Sequence, residues 1–206
     1  MDNQHRIIQG ANELFHQYGI KTITMDDIAK HIGISKKTLY QHFSNKEDLV
    51  YALMKKELDT TEEILDNIKK QSKNSIDEIM RIMDFFNQFF ANFNPVVIYD
   101  TQKYYPKAWK LFDQHKQSGM LEGLIKNLKR GIKEGLYRKD IDIPIISRLR
   151  MEMVQTIFNL SVFSPRQFDM QKVHVQSLSM FMYGIASEKG LKLIKTYSTK
   201  PRLKNK

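Results

Sequence analysis

The chain has 206 residues, 41% hydrophobic and 11% aromatic, enough apolar material for one large or two small packed domains. It contains no cysteine, which excludes disulfides and thiolate chemistry. Its opening MDNQHRIIQG lacks a signal-peptide apolar run and no stretch approaches the ~18 apolar residues of a membrane span, so a cytoplasmic protein without a membrane partner is expected. The formal net charge of +10 suits nucleic acid, an anionic surface or an acidic ligand.

That charge is unevenly placed. Residues 1–50 hold six Lys/Arg against six Asp/Glu, residues 101–140 ten against four, and residues 189–206 seven against none. The excess lies in the middle and the tail, so the total assigns nothing to the N-terminal region.

In chain order the pattern is helical nearly throughout, and no alternating β-branched run bounded by turns reads as a strand; the expected class is all-α. The first helix covers about residues 3–18, with Ile7, Ile8, Ala11, Leu14, Phe15 and Tyr18 on one stripe and Gly19 just past its end. Three helix starts then follow within about twenty residues. Thr24 caps the first with Asp27 at N3, Ser35 caps the second, and Ser44 with Glu47 reads as a capping box for the third. They predict short helices over Met25–Ile32 and Lys36–Phe43 and a long one from Asn45 to about Lys70. Leu39 and Phe43 share a face that matches Ile28, Ala29 and Ile32, and Gly33 suits the turn between them, so the pair reads as a helix-turn-helix. Lys37, Thr38 and Gln41 lie on the opposite side, Tyr40 and His42 on the flanks and Lys36 in the first turn. Thr, Lys and Gln can reach base edges, and Lys, Tyr and His can reach phosphates.

Further on, helices are expected over about Ile76–Phe93, between breaks at Pro95 and Pro106, over Lys107–Glu134 with Gly135 beyond it, and over Ile145–Phe163 and Gln171–Lys189. Two functional groupings fall on them. Phe86, Phe89, Phe90, Phe93, Tyr104, Tyr105, Trp109, Phe112, Met153 and Phe158 describe either a well-filled core or the lining of a pocket for a bulky apolar or aromatic molecule. Ile146, Leu149 and Ile157 on one helix and Val173, Ser177, Met180, Phe181 and Gly184 on the next describe paired apolar faces of the kind that pack in a four-helix bundle. The six histidines show no metal-ligand spacing, and no GxSxG turn or glycine-rich phosphate loop is present, so no metal, cofactor or catalytic residue is assigned and the chain reads as a non-enzyme.

The run ITMDDIAKHIGISKKTLYQHFSNKEDLVYAL, preceded by ANELFHQYGIKT, resembles the DNA-binding head of the TetR family of bacterial transcriptional repressors. The resemblance rests on Ala11, Leu14, Phe15, Gly19, Thr24, Ile28, Ala29, Gly33, Ile34 and Ser35, then on Thr38, Leu39, Tyr40, His42, Phe43, Lys46 and Leu49. It covers about residues 5–55. It implies a helix-turn-helix domain over residues 1–47 (connecting helix about 45–70), a helical ligand-binding and dimerisation domain over 48–189 and a basic, flexible tail over 190–206. It further implies a homodimer, with the paired faces of Ile146, Leu149 and Ile157 and of Val173, Ser177, Met180, Phe181 and Gly184 as candidates for its interface, that reads a palindromic operator in double-stranded DNA and is released by a small-molecule effector. By position, Tyr40, His42 and Lys46 would meet phosphates, and Lys36, Lys37, Thr38 and Gln41 would read the groove. Many relatives carry a basic residue where Asp26 stands, which weakens the expectation that this helix start clamps a phosphate. A second reading stays open: a helical small-molecule-binding or interaction protein that has lost sequence-specific DNA binding, favoured by the net-zero head.

Overall fold

A computed structural model describes residues 3–91 and 93–199. The chain is all-helical there apart from turns and one isolated antiparallel bridge, Tyr137 with Ala186. It divides into two compact units. One comprises the described residues up to Glu62 together with Phe93–Lys116, and the other holds residues 63–91 and those from Gln117 onward. This grouping is not a single cut along the chain, because the segment 93–116 joins the N-terminal helices.

The first unit contains α1 (Asn3–Tyr18), α2 (Met25–His31), α3 (Lys36–His42), the start of α4 (Lys46–Gln71), α6 (Pro95–Tyr104) and α7 (Pro106–His115). Its core is the expected stripe of α1 without Tyr18, which is 52% exposed at the helix end, closed by Ile28, Ala29, Leu39, Phe43, Leu49, Val50 and Leu53, with Ala108 of α7 buried among them. Leu39 and Phe43 are 0% and 4% exposed, and burying each contributes roughly 1.5–3 kcal/mol. The α2–α3 turn is a Schellman closure: Ile34 N–H reaches Ala29 O at 3.0 Å, Gly33 N–H reaches Lys30 O at 3.3 Å, and Gly33 has φ +68°. Thr24 and Asp27 form the reciprocal capping box, and Ser35 Oγ accepts from Thr38 N–H. The α4 cap lies one residue later than expected. Asn45, not Ser44, accepts from Asp48 N–H at 2.9 Å and donates to the Asp48 carboxylate at 3.0 Å, the shorter Asn–Asp pair taking the place of Ser44–Glu47. The prolines start helices: Pro95 and Pro106 occupy first-turn positions, where a missing N–H costs nothing, and Asn94 caps α6.

The second unit contains α5 (Ser75–Ala91), a π-helical turn (Lys116–Met120) leading into α8 (Leu121–Lys133), then α9 (Ile143–Ile157), α10 (Met170–Ile185) and α11 (Glu188–Thr199). The expected helix 107–134 is thus two α-helices joined through a π turn. The expected helix 145–163 ends at Ile157, because the Asn159 carboxamide accepts from both Ser161 N–H and Ser161 Oγ and offers the backbone a local alternative. The expected helix 171–189 ends at Ile185. There Ala186 turns extended to pair with Tyr137, and Ser187 Oγ accepts from Gly190 N–H at the next helix start. The tail expectation needs the largest correction. Residues Glu188–Thr199 form a helix whose Ile194 is 3% exposed, with Leu191, Leu193 and Tyr197 packed on the same core while Lys189, Lys192 and Lys195 face solvent. The remainder of that tail lies outside the described residues.

One polar cluster organises the second unit. Tyr137, 1% exposed, donates its hydroxyl to Asn127 Oδ1 at 2.9 Å and lies 3.1 Å from Ser75 O, which also accepts from Asn127 Nδ2 at 3.1 Å. Burial pushes the Tyr137 phenol well above its usual range. Gly131 makes room for the ring, since a Cβ there would stand 2.0 Å from Tyr137 Cδ2.

Candidate nucleic-acid interface

Helix α3 presents the polar face expected of it. Lys37, Gln41 and His42 are exposed, Tyr40 is 48% exposed, and Thr38 is half-buried with its hydroxyl 2.9 Å from Ser35 Oγ. Lys37 has no ion-pair partner among the described residues. Lys36 does: its ammonium pairs with Asp26 at the start of α2, and that carboxylate raises the Lys36 pKa. Asp26 therefore does more than sit favourably at a helix N-terminus, because it masks one of the expected groove cations.

Lys46 departs from expectation. Its half-buried ammonium lies 3.3 Å from Lys21 O and within about 6 Å of the Phe15 and Tyr105 rings, which lie 5.9 and 6.0 Å away. Burial lowers its pKa, opposed by the charges of Asp100 and Asp27. As placed, it ties the α1–α2 loop to α4 and α7, so a phosphate would have to compete with a structural bond.

The same loop is fastened to α6. Asp100, 4% exposed, accepts from Lys21 N–H at 2.7 Å, and Asn94 donates to His16 O at 2.8 Å. Gly19 lies so close that a Cβ would meet Val96 Cγ1 at 2.9 Å. Lys107 reaches Glu47 at 3.4 Å and Lys21 Nζ reaches Tyr104 Oη at 3.2 Å. These ties hold the helix-turn-helix and α6–α7 as one body.

The aromatic candidates separate. Phe86 and Phe90 pack on His174 in the second unit at 5.7 and 5.1 Å, and Phe158 packs on Phe90 at 5.8 Å. Phe89 stands beside Phe90 at 5.4 Å but is 38% exposed, and Met153 is half-buried on α9. The other five belong to the first unit. Phe93 packs on His16, Tyr104 takes the Lys21 hydrogen bond, Tyr105 packs on the head core, and Trp109 stacks on Phe112 at 4.8 Å. Tyr104 and Tyr105 thus serve the tie between head and α6–α7, because the sequence stretch that carries them folds back onto α1.

The interface candidates also divide. Leu149 and Met180 are 56% and 65% exposed, with Ile145 and Tyr183 beside them at 57% and 48%, and Gly184 is exposed. Ile157 and Phe181, at 2% and 8%, are interior to the chain's own fold and are removed from the interface set; Phe181 joins the core that α10 makes with α5. Ile146 is half-buried on the same core, Val173 is half-buried, and Ser177 accepts a hydrogen bond from Arg150.

The family profile described as bacterial regulatory proteins, tetR family, matches residues 7–53, the segment that holds α1, α2, α3 and the start of α4. Residues 7–53 are thus similar to the DNA-binding head of that family. An HTH-type transcriptional regulator of Staphylococcus aureus (strain USA300) is 34% identical over 88 residues, 43% of this chain and 48% of that protein, so the match spans about half the length of such curated relatives. The likeness to solved structures runs further. A ketosteroid transcriptional regulator of Mycobacterium tuberculosis superposes with TM-score 0.58 at 25% identity, covering 91% of this chain and 96% of the other. The transcriptional regulator FadR from Bacillus subtilis, in complex with stearoyl-CoA, gives TM-score 0.66 at 19% identity, covering 88% and 98%, a likeness of fold.

Two features of the head escaped the sequence reading. Gly10 is a point of close approach between α1 and α2, where a Cβ would stand 2.1 Å from Ile32 Cγ2, yet a glycine inside a helix carries no sign of what crosses it. The Asp26–Lys36 pair joins the first turns of two helices, a proximity that exists only once the Gly33 turn is closed.

Proposed function

We propose that the protein is a ligand-responsive, sequence-specific DNA-binding regulator, a repressor released from a palindromic operator by a small apolar or aromatic molecule. The observation that carries this is the exposed Lys37–Tyr40–Gln41–His42 face of α3, standing on a rigid helix-turn-helix in a TetR-family head. Lys37, Thr38 and Gln41 would meet base edges, with Lys36 available once Asp26 releases it. Tyr40 and His42 would meet phosphates, joined by Lys46 if it exchanges Lys21 O for one. Two heads would be paired by the exposed apolar faces of α9 and α10 around Ile145, Leu149, Met180 and Tyr183, giving an isologous dimer that matches a two-fold operator. The second unit, with its Phe86–Phe90–Phe158 cluster, would hold the effector. The structural likeness to a regulator in complex with stearoyl-CoA supports an effector with a large apolar part.

The test is a gel-shift titration against the DNA flanking the protein's own gene. Lys37→Ala with Gln41→Ala is expected to reduce the preference for that DNA over unrelated sequence by roughly 10-fold or more, on the scale of one lost bidentate base contact. Equal retention of flanking and unrelated DNA by the wild type would favour the other reading, a helical binding protein whose head no longer recognises sequence.

A further inference from the structure

In the second unit a buried cation lacks a counter-charge. Arg150 on α9 is 6% exposed, and no carboxylate pairs with it among the described residues. Its guanidinium donates one hydrogen bond, to Ser177 Oγ at 3.0 Å, and lies 5.6 Å from the Phe181 ring centre. One turn before Ser177, on the same side of α10, His174 is 5% exposed and its Nε2 has no hydrogen-bond partner. The rings of Phe86 and Phe90 cover the imidazole, and Phe158 packs on Phe90.

This arrangement is costly as packing alone. A guanidinium taken out of water loses several kcal/mol of hydration unless a charge repays it, and an apolar side chain of the same volume would fill the space at no such cost. Ser177 and the Phe181 face offer only partial compensation. A neutral histidine with an unused ring nitrogen, next to that cation, adds a second polar group with no internal use. Both groups would be satisfied by one planar anion, because a carboxylate accepts two N–H bonds from the guanidinium fork and has lone pairs left for an imidazole N–H. The phenyl rings next to them suit an apolar body.

We infer that Arg150 and His174 form the polar end of an effector site for an apolar molecule bearing a single carboxylate. The inference rests on the reading of the second unit as the effector-binding part, and it adds the ligand's charge and the residues that recognise it. Arg150 pairs with the carboxylate, Ser177 positions the guanidinium, His174 donates from Nε2, and the Phe86–Phe90–Phe158 cluster holds the apolar body. Burial and the Arg150 charge together keep the imidazole neutral, its pKa lowered to about 4, so it stays a single donor near neutral pH.

The test uses the full chain and three probes: dodecanoate, the uncharged dodecanol of equal length, and 4-phenylbutyrate, which separates an aliphatic acid from an aromatic one. Titration calorimetry is expected to give measurable binding of at least one acid and a Kd for dodecanol at least 10-fold weaker than for dodecanoate. Arg150→Met, close in volume and uncharged, is expected to weaken acid binding by roughly 10- to 100-fold, the scale of a lost charge-assisted hydrogen bond, and to leave dodecanol unchanged. Acid and alcohol binding equally, neither acid binding, or an acid affinity indifferent to Arg150→Met would each overturn the inference. Should Arg150→Met not fold, carbon NMR of carboxyl-labelled dodecanoate on the wild type decides instead. A carboxylate held by a guanidinium titrates well below the free acid, whereas an unchanged titration overturns the assignment. Acid binding without operator retention in a parallel gel shift would leave this site standing and remove the regulatory reading, so the two fail separately.

Discussion

Asp100 offers the sharpest test of the joint between the head and α6. Replacing it with Ala strands the Lys21 N–H, which now donates at 2.7 Å to a carboxylate that is 4% exposed. A hydrogen bond to a charged group contributes roughly 1.5–3 kcal/mol; Lys21 is itself exposed, so water can reach the freed N–H, and Asp100→Ala should destabilise the first unit by about 1.5–2 kcal/mol. Asp100→Asn retains an acceptor but removes the charge that favours the nearby Lys46 ammonium, so a loss of about half that is expected. The assay is urea unfolding followed by tryptophan emission. The sole tryptophan, Trp109, lies on α7 inside this unit, so its signal reports the right body, while circular dichroism reports the whole chain. Asn94→Ala, which removes both the α6 cap and the bond to His16 O, should produce a comparable fall at the other end of the joint. An Asp100→Ala protein within 0.5 kcal/mol of wild type by the Trp109 signal would refute the claim that this bond fastens the loop.

Three further outcomes are expected. Tyr137→Phe removes the hydroxyl that meets Asn127 and Ser75 O and should cost about 1–3 kcal/mol by chemical denaturation; Gly131→Ala, which drives a Cβ into the Tyr137 ring, should cost at least as much despite alanine's better helix propensity. Asp26→Asn frees Lys36, so operator affinity should rise and the slope of log K against log salt should steepen by up to about one, measured by gel shift across a salt series; an unchanged affinity and slope would show that Lys36 does not reach the DNA. His174 has a folded pKa near 4 against about 6.5 unfolded, so the unfolded chain binds the proton first as pH falls. The stability this group contributes is complete above pH 6.5 and lost between there and pH 4, at most about 3 kcal/mol, and His174→Gln should flatten that part of a pH–denaturation profile.

Much of the head was legible because its determinants are local. Thr24 with Asp27, Ser35 with Thr38, and Gly33 with Ile34 are side chains and backbone groups within five residues of each other, and their geometry follows from residue type. The misplaced α4 cap was a choice between adjacent residues that both cap well. Function beyond the head was less legible because it depends on distant pairs. Tyr104 and Tyr105 fit a core or a pocket lining equally well by composition, and only the return of α6–α7 to the head gave them another role. Arg150 and His174 carry no signal in the sequence because each is an ordinary residue in its own helix; their meaning lies in shared burial and in the lack, among the described residues, of a carboxylate paired with Arg150. The α11 helix was hidden by its lysines, although Leu191, Ile194 and Tyr197 already stand at i, i+3 and i+6.

The electrostatics of the head bear on why two copies would be needed. Residues 1–50 carry as many acids as bases, Lys36 is paired with Asp26, and Lys46 is bonded to Lys21 O. Few phosphates can then be neutralised by one head, and affinity for DNA grows with the number neutralised, so a lone head would fall toward the weak end of the roughly 10⁻⁴–10⁻⁶ M non-specific range. Coupling two such heads through the α9–α10 faces, as proposed, would make the second contact intramolecular and add about 10²–10⁴ in avidity, but only where the half-site spacing fits. In the proposed dimer a weakly charged head would be an asset for selectivity: little would be gained on arbitrary DNA, and most of the affinity would depend on a palindrome. Leu149→Asp with Met180→Asp, placed on side chains that are more than half exposed and so tolerated by the fold, should yield a monomer by sedimentation that loses the operator while keeping its helical spectrum. A monomer that still binds a single half-site with full affinity would mean that the head alone supplies the recognition energy and that Asp26 does not hold it in check.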